Sequence, residues 1–153
     1  MMEPDTSQVF TSEAAVTQIV DLWEALIGNA ILYNDQVARE LGIGTVDLQT
    51  FGVISRHGGP ITPTEVAAKT GLPASTTTRV LDRLEDAGYV ARRNVLGDRR
   101  KVAVEVMPGK AAEIAAHYTG KIDEIRDLNR KRTSNEVAAV ISYLRELAEV
   151  DEI

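Results

Sequence analysis

The sequence predicts a mainly α fold of the α+β class, in which helices accompany one two-stranded hairpin. Three observations support this prediction. Apolar residues recur every three or four positions toward both ends of the chain, as on one face of a helix. Two short helical segments joined by a turn of three or four residues form a candidate helix-turn-helix near the middle. Directly after them the apolar period falls to two, which is typical of strands.

The first predicted helix extends from Ser12 to about Leu41, and Gly42 and Gly44 end it. Its apolar residues follow the helical period and form one stripe. The stripe comprises Val16, Ile19, Val20, Trp23, Leu26, Ile27, Ala30, Ile31, Val37 and Leu41. A second helix is predicted from Thr45, which is placed to cap it, to the breaker Gly58-Gly59-Pro60.

The clearest start signal is Thr62-Pro63-Thr64-Glu65, a capping box with proline at the first helical position. In such a box the Thr62 hydroxyl accepts from the Glu65 amide, while the Glu65 carboxylate accepts from the Thr62 amide. This third helix should end at Gly71, since glycine adopts the left-handed conformation readily. A fourth helix is predicted from near Ala74 to Gly88.

Two strands are predicted next, at Tyr89 to Arg93 and Lys101 to Val106, with a charged hairpin tip at residues 94–100. The alternation places Val102, Val104 and Val106 on one face of the second strand.

Two further helices are predicted at the C-terminal end. Pro108 opens a fifth helix with the stripe Ile114, Tyr118, Ile122, Ile125 and Leu128. Thr133 and Glu136 form another capping box, which starts a sixth helix. Little else in the chain is left to cover the stripes of the terminal helices, so we expect them to pack against a second copy.

Composition narrows the functional classes. At 153 residues, 44% of them hydrophobic and 26% charged, the chain is typical of one soluble globular domain. Because cysteine is absent, disulfides, thiolate zinc sites and thiol redox sensing are excluded. His57 and His117 are too few and too far apart to indicate a metal site, and we expect no cofactor.

The N-terminus lacks the basic start and apolar run of a signal peptide, and polar residues interrupt the apolar stretches elsewhere. We therefore expect a cytoplasmic protein without a membrane segment. The net charge of −6 is unfavourable for binding nucleic acid, but the window from Leu72 to Lys101 carries +3, which leaves −9 on the remainder. Screening makes the local charge decisive, so a basic module on an acidic body is compatible with DNA binding.

The stretch from Ile61 to Met107 resembles the MarR family of winged helix-turn-helix regulators. The matching residues are Glu65-Val66-Ala67, the run from Ser75 to Glu85, Gly88-Tyr89-Val90, Arg92-Arg93 and the hairpin signature Asp98-Arg99-Arg100. The resemblance implies a winged helix-turn-helix with a two-stranded wing at residues 45–107. It also implies dimerisation helices at residues 1–44 and 108–153, a homodimer and a double-stranded operator as partner.

The fourth helix would then be the recognition helix that enters the major groove. Its short hydroxyl side chains suit close approach to bases and phosphates, and Arg79 is long enough for a bidentate contact to guanine. The predicted contacts on this helix are Ser75, Thr76, Thr77, Thr78, Arg79 and Arg83, with Thr64 as a phosphate donor on the helix before it. In the wing, the resemblance implies that Arg100 enters the minor groove while Asp98 holds its guanidinium. Arg99 is expected either to contact phosphate or to stay solvated.

One position departs from the family. Pro73 stands where relatives usually have a capping residue, and proline has no side-chain cap to offer. We therefore predict that the recognition helix starts later, with Ser75 as a substitute cap.

Members of this family are often repressors that release DNA when a small aromatic or phenolic molecule binds between the dimer helices and the DNA-binding lobes. Trp23, Phe51 and His57 are candidates for lining such a pocket. The alternative for Trp23 and Phe51 is a core position on an apolar stripe, and for His57 a helix C-terminal position favoured by the dipole.

Two other functional classes compete with a DNA-binding regulator. A winged-helix module that binds protein instead of DNA is the alternative, supported by the acidic body and Pro73. An enzyme is disfavoured because the sequence has no recognisable nucleophile–base pair, phosphate-binding glycine loop or metal cluster.

Overall fold

The computed structural model of the chain describes residues 13–95 and 98–150, and within them all side chains except those of residues 95, 98–101 and 150. These ranges contain seven helices and two strands, which confirms the predicted fold class. The helices are α1 (Glu13–Leu41), α2 (Thr45–His57), α3 (Pro63–Thr70), α4 (Ala74–Asp86), α5 (Lys110–Ala116), α6 (Thr119–Arg130) and α7 (Ser134–Val150). The strands are β1 (Val90–Val95) and β2 (Asp98–Val106).

The chain divides into two compact units between Val106 and Met107. The functional division into dimerisation segments at residues 1–44 and 108–153 and a DNA-binding segment at residues 45–107 stays a prediction.

The start of α2 differs from the prediction. Gly44 is the N-cap and Thr45 is the first helical residue, so the predicted capping role of Thr45 is wrong. The Gly44 amide is instead satisfied by Asp47, whose Oδ2 accepts from it at 3.3 Å. The Thr45 hydroxyl turns away from the cap and donates to Asp35 Oδ1 at 3.0 Å.

The capping box before α3 forms as predicted. The Thr62 amide donates to Glu65 Oε2 at 2.8 Å and the Glu65 amide donates to Thr62 Oγ1 at 3.3 Å. Pro63 occupies the first helical position, and Gly71 ends the helix with a φ of 68°.

The recognition helix α4 begins at Ala74 with Pro73 as its N-cap, so the predicted later start with Ser75 as the cap is wrong. Pro73 has an extended backbone with φ −56° and ψ 146°, a geometry that its ring already favours. The Pro73 carbonyl accepts from the Thr77 amide at 2.9 Å, which closes the first turn without any side-chain cap.

The hairpin is longer than predicted. Strands β1 and β2 pair antiparallel from Val90 opposite Val106 to Asn94 opposite Val102, and an irregularity follows between Asn94 and Val95. Residues 94, 95 and 98–100 belong to the strands, so the tip is shorter than the predicted 94–100. On the valine face of β2, Val106 is half-buried, Val104 is buried, and Val102, the nearest of the three to the tip, is exposed.

A closed core lies among α2, α3, α4 and the base of the hairpin. Its completely buried side chains are Ile61, Val66, Val80, Leu84 and Val104. Ile61 also exchanges backbone hydrogen bonds with Val104, at 2.9 and 2.7 Å, which ties the segment before α3 to β2. This core sets the orientation of α4.

In the second unit, the single fifth helix predicted from Pro108 is wrong, because the segment forms α5 and α6 with a break at His117 and Tyr118. Thr119 and Gly120 follow the break, and both have low helix propensity. The capping box at α7 forms as predicted, with the Thr133 amide donating to Glu136 Oε2 at 2.7 Å.

Helices α1, α6 and α7 carry large apolar side chains that are each more than one third exposed in the single chain. On α1 these are Val16, Ile19, Val20, Leu22, Trp23, Leu26, Ile27, Ile31 and Leu32. On α6 and α7 they are Ile122, Ile125, Leu128, Val140, Ile141, Tyr143 and Leu144.

Candidate nucleic-acid interface

Helix α4 has one buried face and one exposed face. Thr77, Val80, Leu81 and Leu84 point into the core. The opposite side of the helix carries Ser75, Thr78, Arg79 and Asp82, all exposed. We call this side the outer face of α4. It brings together three of the predicted contact residues.

Arg79 is the one arginine of the outer face, and its guanidinium makes no ion pair or hydrogen bond with the described residues. Ser75 lies one turn earlier at the start of the helix and is exposed. The Thr78 hydroxyl donates to the Ala74 carbonyl at 3.0 Å, which leaves its oxygen lone pairs facing solvent. The outer face therefore offers one long cation and two short hydroxyls.

Thr77 leaves the predicted set of contacts. Its side chain is only 1% exposed, and its hydroxyl donates to the Pro73 carbonyl at 3.1 Å. Thr77 lies three, four and seven positions before Val80, Leu81 and Leu84, so the helical period places it on their buried face. Thr76, beside it, is half-buried at the flank of the outer face.

Arg83 is held by a carboxylate of α2. Its Nε and Nη2 donate to Asp47 Oδ2 and Oδ1 at 2.9 and 2.6 Å, a bidentate fork. The hydrogen bond that Arg83 donates to Asp47 raises the pKa of Arg83. The Asp47 side chain is 5% exposed whereas that of Arg83 is 54% exposed, so the pair lies at the edge of the core. Arg83 thus ties α4 to α2, a role that the sequence analysis missed.

Arg92 of β1 holds two carboxylates of α4. Its Nη2 lies 2.6 Å from Asp82 Oδ1, and its Nη1 pairs with Glu85 Oε2. The Arg92 amide also donates to Glu85 Oε1 at 3.0 Å. This backbone bond, together with the guanidinium, lowers the pKa of Glu85. The sequence alone predicted neither of these ion pairs.

At the start of α3, Thr64 is exposed, whereas the hydroxyl of Thr62 is occupied by Glu65 at 2.6 Å. The bonds from Thr62 to the carboxylate lower the pKa of Glu65. Thr64 therefore remains available as the predicted phosphate donor, while Thr62 is a capping residue.

The wing residues Asp98, Arg99 and Arg100 lie in β2, and their side chains are outside the described part of the chain. Their predicted minor-groove contacts stay a prediction. Nearer the base of the hairpin, Arg93 pairs with Glu105 across the two strands.

The three candidate ligand residues are not brought together around a described cavity. Phe51 is 2% exposed and packs edge-on against Tyr89, with ring centroids 5.9 Å apart, so it occupies the core position given as its alternative and does not line an open pocket. Trp23 lies on the exposed stripe of α1, and His57 is exposed at the end of α2. An open cleft of about 640 Å³ lies elsewhere, lined by residues 42–47, Arg83 and Ala87.

Among the described residues there is no group of three or more carboxylates and histidines that could hold a metal ion. The surface around α4 consists of exposed hydroxyls, the unpaired Arg79 and the ion pairs of Arg83 and Arg92.

Known proteins resemble this chain over most of its length. The model of the MarR family matches residues 41–101. The uncharacterized HTH-type transcriptional regulator YcgE of Bacillus subtilis is 31% identical over 133 residues, which cover 87% of this chain and 86% of that protein. The HTH-type transcriptional repressor YetL of the same organism is 30% identical over 79 residues, covering 44% of this chain and 47% of YetL.

Among solved structures, wild-type MarR of E. coli in its apo form is 26% identical, with a TM-score of 0.59. The match covers 83% of this chain and 94% of MarR.

Proposed function

The chain belongs to the MarR family of transcriptional regulators, and from this membership we propose that it is a homodimeric repressor of a pseudo-palindromic operator. The observation that carries the proposal is the outer face of α4, where Arg79 stands free beside exposed hydroxyls. The same segment lies within the part of the chain that the family model matches. The chain's relatives are regulators, and we propose no enzymatic activity for it.

The chemistry of the outer face suits the major groove. Arg79 can donate two parallel hydrogen bonds to O6 and N7 of guanine, a contact that discriminates between bases by about 1–3 kcal/mol. Ser75 and Thr78 are short enough to let the helix approach base edges or phosphates. Thr76 and Thr64 flank this surface, and Arg99 and Arg100 with Asp98 would extend it into the minor groove.

The apolar stripes of α1, α6 and α7 support the homodimer. A monomer would leave Leu26 69% exposed and Leu144 57% exposed, which a second copy would cover. We keep residues 1–44 and 108–153 as the proposed dimerisation segments and residues 45–107 as the DNA-binding segment. Two-fold symmetry would then separate the recognition helices by about 34–36 Å, one turn of duplex.

The apolar surface of α1 bears on the cellular location. Among the described helices, α1 alone is long and apolar enough to cross a membrane, with a mean hydropathy of 1.3. Asp21 and Glu24 lie on this helix, and a charged residue at the centre of a bilayer costs about 2.5–3.5 kcal/mol on insertion scales. Packing α1 against a second copy avoids this cost, so we propose a cytoplasmic protein that is nucleoid-associated when bound to DNA.

Regulation by a small aromatic molecule is part of the proposal. A ligand that favours one spacing of the DNA-binding lobes would release the operator, provided that its affinity differs between the two spacings. Of the predicted pocket residues, Trp23 and His57 remain candidates because both are exposed.

The DNA-binding proposal is tested by selecting bound genomic fragments and measuring their affinity by gel shift. Arg79→Ala should weaken binding about 5- to 150-fold, since it removes a contact of about 1–3 kcal/mol. Arg145→Ala, an exposed arginine of α7, is the matched control and should leave the affinity unchanged. If the folded wild type binds no fragment at low salt, the protein-binding module replaces the repressor.

The homodimer is tested by light scattering. Leu144→Glu places a charge in the exposed stripe of α7 and should convert a dimer into monomers. Arg145→Glu adds the same side chain at the neighbouring position and should leave the dimer intact. A wild type that is monomeric at all concentrations would contradict the proposal.

A further inference from the structure

The pairing of Arg92 has a consequence for a residue that it does not touch. Arg92 lies on β1, and its half-buried side chain is 27% exposed. It binds Asp82, which belongs to the outer face of α4, and Glu85, which lies one residue short of the helix end. The Asp82 side chain is 52% exposed, so it is accessible to other cations as well.

One such cation is Arg79, which lies about one helical turn before Asp82, whereas the adjacent Arg83 is bound to Asp47. Residues three positions apart are neighbours on a helix surface, and opposite charges at this spacing attract each other. Elsewhere the same chain uses this arrangement with the cation first. Lys110 pairs with Glu113 at 2.5 Å, and Lys121 pairs with Glu124 at 2.8 Å.

Arg79 and Asp82 have the same order and spacing, yet they form no ion pair. Instead, Asp82 pairs with Arg92, which leaves the Arg79 guanidinium free. The guanidinium of Arg92 suits this role because its planar fork can bind two carboxylates at once. Lysine, a point charge, would not hold Asp82 and Glu85 in the same geometry.

We propose that Arg92 is a positioning residue for operator binding: by holding Asp82, it keeps Arg79 available to DNA. It also neutralises a carboxylate that would otherwise face the phosphates from the outer face. The inference rests on the proposed function, because it assigns a role to Arg92 only in a protein that uses Arg79 at its operator.

The competing explanation is that Arg92 simply fastens β1 to α4. The two explanations differ in what Asp82 does when Arg92 is removed. If Arg92 only attaches β1 to α4, then removing Asp82 as well does not restore the affinity for DNA. If Arg92 shields Arg79, then Asp82 is the cause of the defect and its removal restores binding. The bond from the Arg92 amide to Glu85 is retained in any side-chain variant, which limits the structural damage.

The test is a double-mutant cycle on a selected operator fragment, measured by fluorescence anisotropy. Arg92→Gln should weaken binding on the order of tenfold, a fraction of what the loss of a guanine contact can cost. Asp82→Asn in the same chain should recover most of that loss. Arg93→Gln, which breaks the neighbouring pair with Glu105, is the matched control and should change affinity much less. Additive effects of the two substitutions would overturn the proposal.

A second readout does not depend on DNA. A crystal structure of Arg92→Gln should show Arg79 paired with Asp82, with nitrogen and oxygen within 4 Å. If Arg79 stays unpaired there, the inference about Arg92 is wrong, whatever the protein binds. A second outcome is that Arg79 pairs with Asp82 in the variant but the wild type binds no DNA fragment. In that case Arg79 and Arg92 do compete for Asp82, but the proposed function and the role of Arg92 in DNA binding are both wrong.

Discussion

Leu84 and Leu144 lie on helices with the same kind of apolar stripe, but their surroundings differ. Leu84 of α4 is fully buried in the core, whereas Leu144 of α7 is 57% exposed. In the segment from α2 to β2, helices and hairpin face one another and close over their apolar sides. Helix α6 buries none of its residues. An apolar stripe therefore shows that a face must be covered, but not whether the same chain covers it.

The two regions should respond differently to the loss of a leucine. Leu84→Ala should destabilise the fold by about 2–5 kcal/mol, because it leaves a cavity in a closed core. Leu144→Ala should act through dimerisation, so its effect on unfolding should shrink as the protein is diluted and both the wild type and the variant become monomeric. Denaturant titrations at two protein concentrations measure the loss of unfolding free energy in both variants. Equal, concentration-independent losses would contradict the division between closed and open apolar faces.

A smaller effect is expected for the carboxylate at the edge of the core. Asp47→Ala removes the partner of Arg83 and the acceptor of the Gly44 amide, and should cost about 1–3 kcal/mol of unfolding free energy. The loss stays below that of a fully buried pair because the Arg83 side chain, 54% exposed, regains water.

The matched variant for this prediction is Asp127→Ala. Asp127 forms an exposed pair with Arg130 at 2.9 Å, and its loss should cost about 0–1 kcal/mol. Thermal unfolding of both variants checks the order. Similar losses for Asp127 and Asp47 would mean that burial of the carboxylate adds nothing to its contribution to stability.

The smallest expected effect concerns pH. Bonds from Thr62 lower the pKa of Glu65 below 4.5, and bonds from Thr133 do the same for Glu136. A carboxylate with a lowered pKa stabilises the fold above its unfolded pKa, and this contribution is lost as the pH falls through the folded pKa. Glu65→Gln should therefore flatten the stability profile below about pH 4.5.

Thermal unfolding at stepped pH measures this effect. Glu136→Gln provides the comparison from the C-terminal unit, since it breaks the equivalent capping box of α7. If the profile of Glu65→Gln is as steep as that of the wild type, the bonds from Thr62 do not persist in solution.

Much of the fold was predictable because its signals are local. The capping boxes at Thr62 and Thr133 and the left-handed glycine at Gly71 each involve residues within one or two turns, and all three form as predicted. The change of apolar period before β1 likewise predicts the hairpin from neighbouring residues. These features are set by backbone hydrogen bonds and steric limits that operate over a few positions.

The predicted helix boundaries were wrong where two local signals in the sequence competed. Pro73 lacks a capping side chain, but its constrained backbone starts α4 at Ala74. At the C-terminal end, a continuous apolar stripe predicted one helix, whereas Thr119 and Gly120 follow a break between two. In both cases a backbone preference outweighed the side-chain pattern.

The amino-acid sequence alone was sufficient to identify most of the helices, the hairpin, the basic segment and the family to which they belong. It could not reveal which charges meet. Asp47 and Arg83 are 36 positions apart, and Arg92 reaches Asp82 from another element. Such pairs depend on how α4 sits against α2 and β1, an orientation that the shared core imposes. For this reason the distinction between a free Arg79 and a bound Arg83, one turn apart on one helix, emerges only when the elements are packed together.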